Sequence, residues 1–278
     1  FSNPNGQANN PLPGHAASSR PSEAYRTART SLCFSALSGN RRVIQVTSPA
    51  AGDGKSTFAI NLAVCLAQSG KRTIIVESDF RRPKVHKLTG VNNETGIVNV
   101  LRGDVELADA IVDTEVPGLS ALPCGHRPRN PSELLTMLEY DRLLNVLREK
   151  FDYVILDTPP VLVVNDPCSV ASRADAVLLC VRLSRHTRDF GGRALEQLVE
   201  VGGVIAGIVI NGVEEADAYG YGSYRYSDYR YRYKDYGYGY GRYSHKKYDD
   251  AYYEDAGPGE EDSTNGSSVP AVATPSKS

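Results

Sequence analysis

The chain has 278 residues, of which 23% are charged and 41% are hydrophobic, and its formal net charge is −2. Such a balance argues against nucleic acid as a partner, because domains that bind it through overall charge are strongly basic. No apolar run reaches the ~18 residues that a helix needs to cross a bilayer.

The start of the chain predicts a linker followed by a helix. Residues 1–20 are rich in Asn, Pro, Gly and Ser and show no helix or strand period, which is typical of a linker. Ser22 then stands where an N-cap is expected, ahead of a helical segment of about four turns. The chain begins with Phe1 rather than Met, which indicates a fragment or a processed product.

From residue 42 onward, strand-like and helix-like segments alternate. The predicted strands span residues 42–47, 73–76, 119–122, 153–156, 176–181 and 204–210. The predicted helices span residues 55–68, 96–101, 105–111, 132–150 and 187–201. Several strands are continuous apolar runs, as in a parallel sheet that is buried on both faces. The pattern predicts a three-layer α/β domain over residues 21–215, with ligands at the carboxyl ends of its strands.

A phosphate-binding loop is predicted between the first strand and the helix that follows it. Backbone N–H groups in such a loop point at phosphate oxygens, and the helix N-terminus adds to the attraction. Lys55 would contact the terminal phosphates, and the Ser56 hydroxyl would hold Mg²⁺. Pro49 departs from the usual pattern, which has glycine at that position. The predicted nucleotide-binding residues are Gly52, Asp53, Gly54, Lys55, Ser56 and Thr57.

Acidic residues follow two of the predicted strands. Glu77 and Asp79 come after residues 73–76, and Asp157 comes directly after residues 153–156. In a parallel sheet these carboxylates share an edge with the phosphate-binding loop, where they can hold Mg²⁺ and accept a proton from an attacking hydroxyl. The arrangement predicts phosphoryl transfer from ATP, with Glu77 or Asp79 as the base.

Together, the segments GDGKST, IIVESDFRRP and VILDTPP and a terminal tyrosine cluster resemble the bacterial tyrosine kinases that control capsular and extracellular polysaccharide export. The resemblance covers about residues 20–278. It implies a P-loop NTPase fold with a mainly parallel sheet, ATP and Mg²⁺ as cofactors, and Asp79 and Asp157 as the acids beside the metal. Glu77 replaces the aspartate usual in the family, whereas Asp79 and Arg81 match it. Asn211 is similar to the family residue that reads the adenine edge.

The first helix carries a family-like pattern of charges. Glu23, Arg26 and Arg29 are spaced so that they share roughly one helical face. Taken alone, this pattern favours a solvated face with salt bridges. The resemblance implies instead that the face assembles a ring-like homo-oligomer.

The C-terminal segment has an unusual composition, because fourteen of the 17 tyrosines fall within residues 219–253. Residues 216–278 lack the apolar content needed to fold, which predicts a disordered tail. A tyrosine-rich tail tethered to an ATP site is a substrate at an effective concentration on the order of mM. The resemblance implies that it is phosphorylated by a neighbouring copy. The predicted phosphoacceptors are Tyr219, Tyr221, Tyr224, Tyr226, Tyr229, Tyr231, Tyr233, Tyr236, Tyr238, Tyr240, Tyr243, Tyr248, Tyr252 and Tyr253.

The resemblance also implies a cellular setting. It implies a transmembrane polysaccharide co-polymerase segment, expected upstream of Phe1, a tyrosine phosphatase as a partner, and a cytoplasmic location at the inner face of the cell membrane. Two alternatives stay open. The first is a partition-type ATPase switch without kinase activity, although residues 49–51 lack the extra lysine usual in that class. The second is a scaffold whose tyrosine-rich tail binds RNA or forms condensates.

Overall fold

The computed structural model of the protein describes residues 20–37, 41–184 and 187–212, and it describes side chains in the first helix over residues 23–32. The predicted linker, apart from residue 20, and the predicted tail over residues 216–278 lie outside the described residues. So do the end of the predicted domain, residues 213–215, and all fourteen predicted phosphoacceptor tyrosines.

Within these ranges the chain alternates between strands and helices. The strands are β1 Val43–Thr47, β2 Thr73–Glu77, β3 Val112–Asp113, β4 Leu119–Leu122, β5 Tyr153–Asp157, β6 Ala176–Arg182 and β7 Ile205–Asn211. The helices are α1 Arg20–Leu37, α2 Lys55–Gln68, α3 Val85–Thr89, α4 Ile97–Arg102, α5 Leu107–Ala110, α6 Pro131–Thr136, α7 Leu138–Lys150, α8 Asp166–Ala171 and α9 Thr187–Glu200.

The strands form one sheet in the order β3-β4-β2-β5-β1-β6-β7. All neighbouring strands pair in parallel except β3, which is antiparallel to β4. The predicted α/β fold with a mainly parallel sheet is therefore confirmed. β5 lies between β2 and β1, which places the carboxyl ends of these three strands side by side.

Apolar residues on the two faces of the sheet build two separate parts of the core. Ile44 packs with α2 on one face, whereas its neighbour Val43 packs with α7 on the other. Successive residues of a strand point to opposite faces, so a continuous apolar run fills both layers. Helix α2 is buried along most of its length, because α1 covers its outer side.

One predicted helix is wrong, because residues 132–150 form two helices rather than one. Met137 separates α6 from α7 with an extended backbone, at φ −69° and ψ 151°. Leu135 and Tyr140 are both fully buried, whereas Met137 between them is exposed. The apolar stripe is interrupted at this point, and the bend allows both helices to bury their apolar sides in the same core.

Candidate nucleotide-binding site

The sheet brings the predicted acidic strand ends to the edge that carries the phosphate-binding loop. Glu77 pairs in register with Asp157 across β2 and β5, and Asp157 pairs with Val46 of β1. The loop after β1 leads directly into Lys55, the first residue of α2. The expectation that these groups meet at one edge is therefore met by the strand order.

Two glycines give the loop its shape. Gly52 and Gly54 have φ angles of 90° and 92°, which L side chains rarely adopt. A Cβ on Gly54 would lie 2.7 Å from Nδ2 of Asn211, at the end of β7. That Nδ2 donates a hydrogen bond of 2.8 Å to the Asp53 carbonyl, and Asp53 Oδ2 accepts one of 3.0 Å from the Ala50 N–H. Asn211 thus supports the loop directly, and its reading of adenine remains a prediction.

Lys55 lies at the centre of the charged groups. Its Nζ is 3.0 Å from Asp79 Oδ2, 3.2 Å from Ser56 Oγ and 3.7 Å from Asp157 Oδ1. All of these side chains are buried. A low dielectric strengthens interactions between charges, so this lysine stabilises two carboxylates that water does not reach.

Asp157 differs from its neighbours in its hydrogen bonding. Neither of its buried carboxylate oxygens has a hydrogen-bond partner in the part of the chain that the structure describes. Burial raises the pKa of Asp157, and the nearby Lys55 ammonium is the main group that opposes that rise. A carboxylate without donors is suited to a cation or to its bound water.

The donor atoms at this edge fit Mg²⁺. Ser56, Asp79 and Asp157 offer hard oxygens, the ligands that Mg²⁺ prefers. Among the described residues, no three His, Cys, Asp or Glu side chains form a metal-binding cluster. The protein would therefore supply part of the coordination, as is usual for Mg²⁺, which keeps several waters and binds substrate phosphates.

The Glu77 carboxylate is occupied by backbone donors. Oε1 accepts a hydrogen bond of 3.1 Å from the Asp79 N–H, and Oε2 accepts bonds from the N–H groups of Lys84 and Val85 at 2.6 and 2.9 Å. Burial, Asp157 and Asp79 raise the pKa of Glu77 well above its usual range, and the N–H groups of Val85 and Lys84 oppose this. Glu77 therefore braces the segment between β2 and α3.

A polar network that sequence reasoning missed holds the other side of this segment. Arg81 Nε donates to Asp166 Oδ2 at 2.8 Å, and Arg81 Nη2 donates to Ser132 Oγ at 3.0 Å. The Ser132 hydroxyl donates to Asp166 Oδ1 at 2.7 Å, which closes the network. Nothing in the local sequence indicates this network, because the buried Asp166 side chain binds an arginine 85 residues earlier in the chain.

The three predicted oligomerisation residues lie on α1 but do not act alike. Arg26 Nη1 forms a salt bridge of 3.1 Å with the exposed Glu23. Arg29 Nη1 instead donates a hydrogen bond of 3.4 Å to the Cys65 carbonyl of α2. A salt bridge on the solvated face, as the pattern alone favours, is present, and the assembly of a ring remains a prediction.

A glycine loop that opens a buried helix, with acidic strand ends beside it, is how P-loop proteins bind nucleotide phosphates. The fold and the site together define a P-loop nucleotide-binding protein. A family model described as an AAA domain matches residues 41–201.

Comparison with relatives whose class is known identifies the family within the P-loop proteins. Tyrosine-protein kinase CpsD of Streptococcus agalactiae is 35% identical over 207 residues, covering 73% of this chain and 89% of that protein. The kinase domain of Escherichia coli tyrosine kinase ETK superposes with a TM-score of 0.71 at 30% identity, covering 83% of this chain and 84% of that structure. The chain belongs to the bacterial tyrosine-protein kinase family, which confirms the predicted family and enzyme class.

Some relatives are much longer than the matched region. Tyrosine-protein kinase ptk of Acinetobacter johnsonii is 38% identical over 196 residues, which cover 70% of this chain and 27% of that protein. The chain thus spans about a quarter of the length of that relative. None of the described helices is both long and apolar enough to cross a membrane.

Proposed function

We propose that the protein is an ATP- and Mg²⁺-dependent kinase that phosphorylates the tyrosine-rich tail of a neighbouring copy. The observation that carries this proposal is the position of Lys55, buried between Asp79 and Asp157 at the point where the glycine loop enters α2. The N–H groups of the loop would bind the phosphates of ATP, and Ser56, Asp79 and Asp157 would hold Mg²⁺. Mg²⁺ would neutralise charge that develops on the phosphates.

In the proposed reaction, the tyrosine hydroxyl oxygen forms a bond to the γ-phosphorus of ATP. The bond between that phosphorus and the oxygen bridging to the β-phosphate breaks, and ADP leaves. The phenolic proton passes to a carboxylate, for which we propose Asp79 rather than Glu77. The Glu77 oxygens accept hydrogen bonds from backbone N–H groups. These bonds cannot break without a rearrangement of the segment between β2 and α3. Asp79 Oδ2 is instead paired with the flexible Lys55 side chain, which ATP phosphates would attract.

The setting of the kinase is also part of the proposal. Arg26 and Glu23 on the exposed face of α1 would join subunits into a ring, which brings the tail of one copy to the site of the next. Family membership supports a role in polysaccharide synthesis and export, with a tyrosine phosphatase as the opposing enzyme. The 27% coverage of a longer relative is consistent with a fused membrane-spanning segment and a location at the inner face of the membrane.

Incubation of the full chain with Mg-ATP tests this function directly. Mass spectrometry should find phosphate on tyrosines within residues 219–253. The Asp157→Asn variant should lose this labelling, whereas the matched variant Asp104→Asn, which changes an exposed carboxylate, should retain it. ATP hydrolysis without labelled tyrosine would reject the kinase in favour of an ATPase switch.

A further inference from the structure

An open cavity of about 470 Å³ lies beside the nucleotide site, and no part of the proposed function uses it. Four of its six lining residues carry a positive charge, and no carboxylate lines it among the described residues. The lining residues are Arg82, Pro83, Lys84, Lys87, Leu88 and Arg127.

Two residues that line this cavity donate backbone hydrogen bonds to the candidate catalytic carboxylates. The Arg82 N–H donates a hydrogen bond of 3.0 Å to Asp79 Oδ1, and the Lys84 N–H donates to Glu77 Oε2. Lys84 is exposed, yet partial desolvation by its neighbours, followed by the Lys55 ammonium, lowers its pKa. Lys84 therefore lies within the electrostatic field of the nucleotide site, and a ligand in the cavity would be next to that site.

Two further residues that line the cavity are also positively charged. Lys87 and Arg127 are exposed, and they come from segments 40 residues apart. Burial, followed by these two cations, lowers the pKa of His86, which places both charges near that imidazole. The fold thus collects cations from α3 and from the loop before α6 around one opening.

We propose that this cavity binds phosphotyrosine in the tail of a neighbouring copy. The proposal rests on the kinase function proposed above, whose product would be the ligand. A phosphotyrosine carries about −1.5 to −2 charges, which suits a cavity lined by four cations. Its ring would contact Pro83 and Leu88, the apolar part of the lining. A bare phosphate would leave that apolar part unused, so the chemistry favours an aromatic phosphate.

Charge would make the cavity selective for the phosphorylated tail. Residues 219–253 contain seven basic and four acidic residues, so the unmodified segment carries +3 and is repelled by a positive lining. Modification of a few tyrosines reverses that sign. Most tyrosines of the segment are two or three residues apart, which corresponds to roughly 7–10 Å in an extended peptide. A bound phosphotyrosine would therefore keep unmodified tyrosines close to the site, and one encounter would lead to several phosphorylations.

Binding can be measured without catalysis. We choose the full chain carrying Asp157→Asn, which we expect to be folded and unphosphorylated. The probe is a fluorescent peptide of residues 226–236 with phosphate on Tyr231 and Tyr233, compared with the same peptide without phosphate and with inorganic phosphate as competitor. Fluorescence anisotropy should show at least tenfold tighter binding of the phosphopeptide, and salt should weaken it.

Matched variants test the location of binding. Lys87→Ala with Arg127→Ala, placed in the same background, should abolish the preference for phosphate. Lys71→Ala with Arg102→Ala removes the same charge from exposed positions outside the cavity and should leave the preference unchanged. In the otherwise unmodified kinase, intact-mass spectra should show mostly unmodified and highly modified chains, whereas Lys87→Ala with Arg127→Ala should give a single distribution that shifts gradually.

Several results would overturn the proposal. Equal affinity for both peptides would show that the cavity does not bind phosphotyrosine. So would an equal loss of the preference for the phosphopeptide in the two pairs of variants. Competition by inorganic phosphate as strong as that of the phosphopeptide would show a general anion site. Displacement by an acidic polysaccharide at lower concentration would assign the cavity to a polymer. Failure of the kinase itself would appear separately, as unlabelled tyrosines in the otherwise unmodified protein, because the binding assay needs no catalysis.

Discussion

Gly52 and Gly54 provide a matched pair for testing how Asn211 shapes the phosphate-binding loop. Both glycines have nearly the same left-handed φ, at 90° and 92°. A Cβ on Gly52 would meet no atom within 4 Å, whereas a Cβ on Gly54 would lie 2.7 Å from Asn211 Nδ2. Alanine at Gly52 therefore reports backbone strain alone, and alanine at Gly54 reports the same strain plus displacement of the Asn211 amide.

The expected magnitudes follow from these contacts. Placing alanine in the left-handed region should destabilise either variant by about 1–2 kcal/mol. Gly54→Ala should also break the 2.8 Å hydrogen bond from Asn211 Nδ2 to the Asp53 carbonyl. A hydrogen bond of this kind contributes about 0.5–1.5 kcal/mol. We therefore expect Gly54→Ala to destabilise the protein by about 2–3 kcal/mol, roughly 1 kcal/mol more than Gly52→Ala.

Urea unfolding of the nucleotide-free protein measures both effects. The two variants should be compared first alone and then in the Asn211→Ala background, which removes both the obstructing amide and its hydrogen bond. In that background Gly52→Ala and Gly54→Ala should destabilise equally, because only backbone strain remains. A difference that persists without Asn211, or no difference in its presence, would refute the assigned contact.

Three further predictions concern Glu77, the pair of Arg81 and Asp166, and the exposed face of α1. At pH 4.5, where the raised pKa of Glu77 keeps its carboxyl uncharged, Glu77→Gln should lower the stability to urea by about 1–3 kcal/mol, since glutamine leaves one of three N–H donors without an acceptor. An unchanged urea midpoint would show that Glu77 does not hold the segment between β2 and α3. Asp166→Asn should lower the free energy of unfolding by about 2 kcal/mol, because it weakens the charge-assisted hydrogen bonds to Arg81. If Asp166→Asn destabilises the protein equally with and without Arg81→Met, the two residues are not coupled. Glu23→Ala with Arg26→Ala should give a monomer by light scattering, and a ring of unchanged mass would exclude the exposed face of α1 as the contact between subunits.

The sequence predicted the parts of the fold that depend on local pattern. All six predicted strands are present, because continuous apolar runs mark strands that are buried on both faces. The meeting of Lys55, Asp79 and Asp157 was also predictable, since parallel strands bring their carboxyl ends to one edge. The prediction needed only the order of strand, loop and helix along the chain.

Contacts between distant segments were not predictable in this way. Arg81 meets Asp166 across 85 residues, and Asn211 meets Asp53 across 158, and nothing in the local pattern specifies either pair. The bend at Met137 allows α6 and α7 to bury their apolar sides in the same core, and the helical pattern of the sequence does not show where one helix ends and the next begins. The basic cavity gave a partial signal in the run RRPKVHK at residues 81–87, but Arg127 joins that run only in the folded chain.

Asp157 offers a test in which stability and activity should change in opposite directions. Burial raises its pKa in the folded protein above that of the unfolded chain. The protonated form of Asp157 therefore stabilises the folded protein at acid pH. This stabilisation is lost as the pH rises through the folded-state pKa. Asparagine has nearly the same shape, does not titrate and breaks no hydrogen bond of Asp157 that the described part of the chain contains. The substitution therefore removes a buried charge without removing a hydrogen bond.

The stability advantage of Asp157→Asn over the unmodified protein should accordingly grow as the pH rises and vanish in acid. Urea unfolding in EDTA from pH 4.5 to 8.5 measures it, with Asp104→Asn as the exposed control, for which no such trend is expected. Added Mg²⁺ should stabilise the unmodified protein more than Asp157→Asn, because a cation that binds only the folded state raises its stability. A variant that is less stable at every pH would show that the Asp157 carboxylate has a partner beyond Lys55. A response to Mg²⁺ as large as that of the unmodified protein would remove Asp157 from the proposed metal site.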